Sequence, residues 1–233
     1  MKSNNLQMSN KEFLEFANHL TNISEEIIIN YYRKDFVKSN QKKDQTPVSI
    51  ADTEVERIIR EEIKKKYPKH GIIGEEFPNK LSSCDYNWYI DPIDGTSAFI
   101  CGKPTFTTLI CLTKGDQVIV SIINQPITKD RWIAYDKEIT THNGKKIKTR
   151  NCKDITDAVL TTTSPALFAS EEEILKFDTL RSKTKYQKYG GSFYGGDALN
   201  YALLANGFID IVIESGLKNH DFLPLIPIVK NSG

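Results

Sequence analysis

The segment Trp88-Tyr89-Ile90-Asp91-Pro92-Ile93-Asp94-Gly95-Thr96-Ser97 constrains this chain more than any other stretch. Its apolar start reads as the end of a β-strand, and the first acid arrives where that strand stops. Pro92 turns the chain, because its ring fixes φ and removes an N–H. A second acid, Asp94, follows, and Gly95 lets backbone approach a ligand closely. Thr96 and Ser97 add hydroxyls where a short helical turn starts, and free N–H groups and a dipole end there favour an anion. Carboxylates suited to a hard cation thus stand beside donors suited to a phosphate.

The rest of the chain supplies a layered frame for such a strand end. Ser9-Asn10-Lys11-Glu12 reads as a capping box, and Phe13, Phe16, Leu20, Ile23 and Ile27 recur behind it at helical spacing towards Tyr32. A polar stretch over 38–45 reads as a loop. Ser49-Ile50-Ala51-Asp52 reads as a second capping box, opening a helix with Val55, Ile58, Ile59 and Ile63 on one face and Pro68 beyond its end. From Gly71 short β-type runs follow at 72–73, 88–90, 108–112, 118–123, 132–135 and 159–162, several joined closely enough for an antiparallel meander. Helices are expected over 171–180 and 198–206, the second closed by Gly207, then a strand over 208–214 and a helix over 222–230 beginning near Asp221. Helices, then meandering strands, then alternating units predict a mixed α+β fold in layers.

Asp91 and Asp94 could by themselves merely cap a turn. Three further acids bear on that reading. Glu75 follows Gly74 where the Ile72-Ile73 strand ends, Asp52 begins one helix, and Asp221 begins another after Lys218-Asn219-His220. Any one acid at a helix start is ordinarily an N-cap. Together, beside a glycine-bearing turn, they read as oxygen ligands for Mg²⁺ or Mn²⁺ rather than zinc.

Composition removes other classes. The 233 residues carry a formal net charge of +1, so no global field recruits nucleic acid or a membrane surface. Lys64-Lys65-Lys66 reads as a solvated helix face. The start is polar, and no apolar run reaches the ~20 residues that a membrane span needs. Cys84, Cys101, Cys111 and Cys152 form neither a C-x-x-C pair nor a zinc spacing, which predicts buried free thiols in a cytoplasmic protein. No cysteine or serine nucleophile motif stands out, consistent with direct transfer of phosphate to water.

The run from Glu75 through Asp91-Pro92-Ile93-Asp94-Gly95-Thr96 to Asp221 resembles the inositol monophosphatase superfamily of metal-dependent phosphatases. The resemblance covers nearly the whole chain and implies a single domain over 1–233, folded as a layered αβαβα sandwich and usually paired as a homodimer. Within that superfamily the sequence is most similar to histidinol-phosphate phosphatases. The pieces that carry this are Thr46-Pro47-Val48-Ser49-Ile50-Ala51-Asp52, His70-Gly71-Ile72-Ile73-Gly74-Glu75-Glu76-Phe77, Asn124-Gln125-Pro126 before Arg131-Trp132, Gly195-Gly196-Asp197, and Glu214-Ser215-Gly216-Leu217-Lys218.

The resemblance implies a role for each matched residue. Glu75, Asp91 and the Ile93 carbonyl would hold one Mg²⁺. Asp91, Asp94 and Asp221 would hold a second, with Asp91 bridging, and Glu75 would help hold a weaker third through water. Asp52 and Thr96 would orient and deprotonate the attacking water. Backbone donors at Gly95 and Thr96 would bind phosphate, while Asp197 and Glu214 would lie near the leaving alcohol. The implied reaction is hydrolysis of a small phosphate monoester, L-histidinol phosphate first, in histidine biosynthesis. An inositol-type or broad monophosphatase, a 3′-phosphonucleotide phosphatase and a catalytically silent metal-binding regulator are the alternatives.

Two departures from the family pattern stand out. His220 occupies the place of an aromatic residue before the last metal acid, as a packing ring or a substrate contact. Relatives also continue beyond Asn231-Ser232-Gly233 through a glycine pair, so the resemblance implies that a final strand and tail are missing.

Overall fold

Helical spacing of apolar side chains places the first two helices together on one face of a sheet. In the computed structural model, which describes residues 2–34, 40–41, 47–48, 50–135, 139–185 and 193–233, these are α1 (Lys2–Tyr31) and α2 (Ile50–Lys66). Phe13, Phe16, Leu20 and Ile28 of α1 and Val55, Ile59 and Ile63 of α2 are buried in one core. The helix begins well before Ser9, and the Glu12 carboxylate accepts the Tyr67 hydroxyl at 3.0 Å. A short pair, β1 (Asn40–Gln41) and β2 (Pro47–Val48), lies between the helices. Ser49 of the second capping box lies outside the described residues, as does most of the 38–45 loop.

The main sheet is the expected meander, extended at both ends. Its strands are β3 (Gly71–Gly74), β4 (Tyr86–Asp94), β5 (Thr107–Lys114), β6 (Gln117–Gln125), β7 (Asp130–Tyr135), β8 (Ile139–His142) and β9 (Lys145–Lys146), lying side by side in that order. Only β3–β4 is a parallel pair among these neighbours. Period-two alternation divides the sheet between two cores. Ile110, Leu112 and Ile122 face α1 and α2, while Leu109, Ile123, Trp132 and Ala134 face the opposite side.

That opposite side is covered by α5 (Asp197–Ala205) and α7 (Leu225–Lys230), through Ala198, Ala202, Ala205, Leu225 and Ile228. Between β4 and β5 runs the short α3 (Thr96–Ile100). Beyond α5 lies a small parallel sheet in which β10 (Leu160–Thr162) sits between β11 (Phe193–Tyr194) and β12 (Ile211–Val212). Phe177 of α4 (Glu171–Arg181) stacks near Phe168 and shares a cleft with Ile213 at that sheet's edge. The layers follow as helices, sheet, helices, small sheet and helix, which is the expected α+β sandwich.

Three local expectations are corrected. Strand β4 does not stop at Asp91 but continues to Asp94, with a register shift against β5 between the two acids. The strand expected over 208–214 shrinks to β12, because flanking Phe208 is exposed and Gly207 and Gly216 take positive φ. The helix expected from Asp221 is split into α6 (Asn219–Phe222) and α7, with Pro224 at the break. Among the cysteines, all free, only Cys111 is buried, and Cys101 is exposed. Lys64, Lys65 and Lys66 are exposed as expected, and no helix among the described residues is long and apolar enough to cross a membrane.

Candidate active site

The bulge in β4 falls between its two acids and leaves them as electrostatic neighbours at one strand end. Asp91, on the last regular pair with Leu109, is 3% exposed, and its Oδ1 has no hydrogen-bond partner among the described residues. Asp94, partly open to solvent, directs Oδ2 at the Ala198 N–H, 2.6 Å away, and at the Thr107 hydroxyl at 3.4 Å. Gly95 then takes φ of 85°, where an L side chain is strained. A Cβ there would also stand 2.8 Å from Asp197 Oδ2 and 3.3 Å from Phe106 Cα. The Thr96 hydroxyl donates to the Ile93 carbonyl at 3.0 Å, joining two of the expected site groups.

Other elements bring the remaining acids to this strand end. Asp52, in the first turn of α2, is 1% exposed. Asp221 is carried by α6, which packs on β4, and its Oδ2 accepts the Lys218 N–H at 2.7 Å. Glu75 follows β3 at the rim, with Lys218 Nζ 3.9 Å from its Oε1. The acids sense one another. Burial first, then Asp94, Glu75, Asp221 and Asp52, push the Asp91 carboxyl well above the usual carboxylate range. Asp94 is pushed the same way by desolvation, then by Asp197, against the pull of the Ala198 N–H, with Asp221 and Glu75 adding to the rise.

The acids expected as ligands are therefore electrostatic neighbours, but no three His, Cys, Asp or Glu side chains among the described residues form a ready-made ligand set. Asp94, Asp221 and Glu75 each turn an oxygen to another protein group. Asp91 keeps a buried oxygen unengaged. An anionic oxygen desolvated without a donor is costly unless a cation can reach it. The donor chemistry, carboxylates with a nearby carbonyl, fits Mg²⁺ or Mn²⁺.

A second acidic group lies on the α5 side. Residues Gly195, Gly196 and Asp197 all take positive φ, 92°, 115° and 42°. Positive φ is uncommon for aspartate and marks a conformation that the surroundings enforce. Asp197 is not the N-cap of α5; Gly196 holds that place, and no side-chain cap bond is made. The Asp197 N–H donates to the Thr163 hydroxyl at 3.1 Å, and Thr163 donates both its N–H, at 2.7 Å, and its hydroxyl, at 2.9 Å, to Glu214 Oε1. Desolvation raises the carboxyls of both Asp197 and Glu214, and each also has an acidic neighbour. Tyr201, one turn beyond Asp197, has its phenol pKa raised by burial, then by Glu214 and Asp94.

Thr163 and Tyr201 escape a reading by motif, since a lone Thr after a strand and a Tyr inside a helix carry no pattern. Tyr201 was traceable as the i+4 neighbour of Asp197. His220 is 7% exposed, and its Nε2 lies 3.2 Å from Asp221 Oδ1, too poorly aligned for a hydrogen bond. Its burial fits the packing-ring reading.

Fold and site together define a layered α+β protein with a group of neighbouring acids at the end of one strand of its main sheet. The chain belongs to the inositol monophosphatase family, whose model matches residues 9–233; members of that family are generally Mg²⁺-dependent. It is 44% identical to the chloroplastic bifunctional phosphatase IMPL2 of Arabidopsis thaliana, over 97% of this chain and 65% of that protein. It therefore spans less than two thirds of that relative's length. A histidinol-phosphatase of Chlorobaculum parvum is 27% identical over 94% of this chain and 83% of its own. Among solved structures, an inositol monophosphatase from Zymomonas mobilis superposes with a TM-score of 0.83 at 37% identity, covering 95% of this chain and 83% of that one.

Proposed function

We propose that this chain is a Mg²⁺-dependent phosphomonoesterase whose preferred substrate is L-histidinol phosphate, as a step of histidine biosynthesis. The observation that carries the substrate is the acidic pair Asp197 and Glu214, joined through Thr163 beside the cleft that holds Asp94. Histidinol carries an ammonium and an imidazole that can be cationic, and two neighbouring carboxylates suit such an alcohol.

In this reading Glu75, Asp91 and the Ile93 carbonyl would hold one cation, Asp91, Asp94 and Asp221 would hold another, and Glu75 would help hold a weaker third. When bound, the cations neutralise phosphate charge, acidify a water and stabilise the leaving oxygen. Asp52 and Thr96 orient and deprotonate the water: the Thr96 hydroxyl gives its own proton to the Ile93 carbonyl, which leaves its oxygen to accept from the water. Gly95, with no side chain in the way, brings its backbone and that of Thr96 against the phosphate. As the water oxygen bonds to phosphorus, Asp52 takes its proton; the phosphorus–alkoxide bond breaks, and the alkoxide takes a proton from a solvent water to leave as the alcohol. Glu214 and Asp197 hold that alcohol.

The similarity to a histidinol-phosphatase supports the substrate, and the similarity to the Zymomonas inositol monophosphatase favours inositol 1-phosphate as the second reading. The homodimer implied by the resemblance belongs to the proposal and is checked by light scattering. Phosphate release from histidinol phosphate, inositol 1-phosphate and adenosine 3′,5′-bisphosphate, with Mg²⁺ and with chelator, tests the whole. Mg²⁺-dependent release fastest from histidinol phosphate is expected. Faster release from inositol 1-phosphate moves the assignment to the second reading, and no release from any substrate leaves a silent metal-binding protein.

A further inference from the structure

One stripe of α2 carries Asp52, Glu56 and Arg60 at successive four-residue steps, and all of them are buried, at 1%, 0% and 5% exposure. Such spacing stacks side chains along one face of a helix. Asp52 points the stripe at the acid cluster. Glu56 and Arg60 face the loop over residues 74–78, which carries Glu75.

The loop is held at several points by this pair. Glu56 Oε1 accepts Arg60 Nε at 2.6 Å, and Glu56 Oε2 accepts the backbone N–H of Glu76 at 2.8 Å. The two guanidinium NH₂ groups of Arg60 donate to the carbonyls of Phe77 and Pro78, at 3.0 and 3.1 Å, and the guanidinium carbon lies 5.8 Å from the Phe77 ring centroid. Gly74 completes the fit, since a Cβ there would stand 2.2 Å from Glu56 Oε1. The loop's two feet are bridged by reciprocal backbone hydrogen bonds between Ile72 and Lys80, each 2.9 Å. Glu75 is the rim acid of the site, flanked on both sides by residues that touch the clamp.

We propose that Glu56 and Arg60 are positioning residues that fix this loop and so set Glu75 in place for its cation. The pair touches neither substrate nor reacting atoms. It rests on reading Glu75 as a metal ligand, and it assigns a function to a buried ion pair that no motif marks. A buried ion pair often adds no net stability over apolar residues of similar volume, and hydrogen bonds behind a ligating carboxylate tune the metal that it holds.

The test uses Arg60→Lys, which keeps the charge opposite Glu56 but loses the fork to Phe77 and Pro78, and Gly74→Ala, which keeps both charges and crowds Glu56 from the loop side. Glu75→Gln is the reference. The half-maximal Mg²⁺ concentration for phosphate release is measured with kcat at saturating Mg²⁺, alongside the melting-temperature gain that Mg²⁺ gives without substrate. Both clamp variants are expected to raise the half-maximal Mg²⁺ about tenfold and to shrink the melting gain, with kcat at saturation within about twofold of wild type. The substrate-free melting gain keeps the test valid even if the phosphatase reading fails. A lowered melting temperature with an unmoved Mg²⁺ requirement would make the pair merely structural and overturn the proposal. An unmoved Mg²⁺ response in Glu75→Gln would overturn it as well, by removing the ligand that the clamp is said to position.

Discussion

Asp94 Oδ2 accepts the backbone N–H of Ala198 at 2.6 Å, across 104 residues of sequence. This bond joins the acid-bearing end of β4 to the first turn of α5. It places Asp197 against Gly95, where any Cβ would collide with its carboxylate. The side of the cleft proposed for cations and the side proposed for the leaving alcohol therefore share one hydrogen bond. A change on either side should be felt on the other.

Gly95→Ala tests that closeness. The residue holds φ at 85° and the added methyl meets Asp197 Oδ2 at 2.8 Å. Backbone strain of this kind costs about 1–3 kcal/mol, which corresponds to a melting-temperature loss of roughly 2–12 °C for a chain of this size. Differential scanning calorimetry reads the loss, and kcat/KM should fall with it. A variant as stable and active as wild type would show that the contact is easily relieved.

Asp91→Asn and Asp94→Asn address the cation side. Loss of a ligand charge in a two-cation site removes several kcal/mol of transition-state stabilisation, so kcat should fall at least about a hundredfold. Stability without metal should hold or rise, because burial and acid–acid repulsion already oppose ionisation of both groups. Initial rates in excess Mg²⁺ and melts in chelator read the two effects separately. Near wild-type rates for Asp91→Asn would refute its role as the bridging ligand.

His70 gives the fold an acid limit remote from the cleft. Its ring is stacked between Tyr67 and Tyr86, at centroid distances of 4.6 and 4.9 Å, and its Nδ1 accepts the Trp88 indole N–H at 3.1 Å. Burial, then the Lys80 charge, lowers its pKa from 6.5 to about 4. Above 6.5 the ring is neutral in both folded and unfolded chains, so it adds no pH dependence. Between 6.5 and 4 the unfolded chain binds the proton first, and stability falls as pH falls. Below 4 the loss is complete, at roughly 3 kcal/mol. In His70→Gln the denaturant midpoint should lose much of its pH slope in that window. An unchanged slope would place the acid sensitivity elsewhere.

The meander and its acids were legible because both leave marks in short windows. β5, β6 and β7 alternate apolar residues or run through them, and Asp91-Pro92-Ile93-Asp94-Gly95-Thr96 is a local pattern. The capping box at Ser9 does not mark the start of α1, which runs from Lys2, because the same four-residue pattern is also compatible with a helix interior. The strand expected over 208–214 is shorter in the structure because an apolar run does not reveal where a partner strand stops. The single helix expected after Asp221 ignored Pro224, although the proline was in plain view. Thr163, Glu56 and Arg60 were missed for another reason. What they do depends on residues brought near by folding, Asp197 and Glu214 for the first and residues 74–78 for the other two. The only sequence trace of Glu56 and Arg60 is their four-residue step along α2.

The substrate proposal turns on Asp197. As a ligand for a cationic alcohol, it would lose on conversion to Asn a charge-assisted hydrogen bond of about 1.5–3 kcal/mol, or roughly 10- to 100-fold in kcat/KM. The measurement is kcat/KM for L-histidinol phosphate and for inositol 1-phosphate, in wild type and in Asp197→Asn, at saturating Mg²⁺. Wild type is predicted to favour histidinol phosphate, and the variant to lose that preference by the stated factor while inositol 1-phosphate hydrolysis barely changes. Equal losses on both substrates, or none on either, would contradict the account of an acidic pair that selects a cationic leaving group.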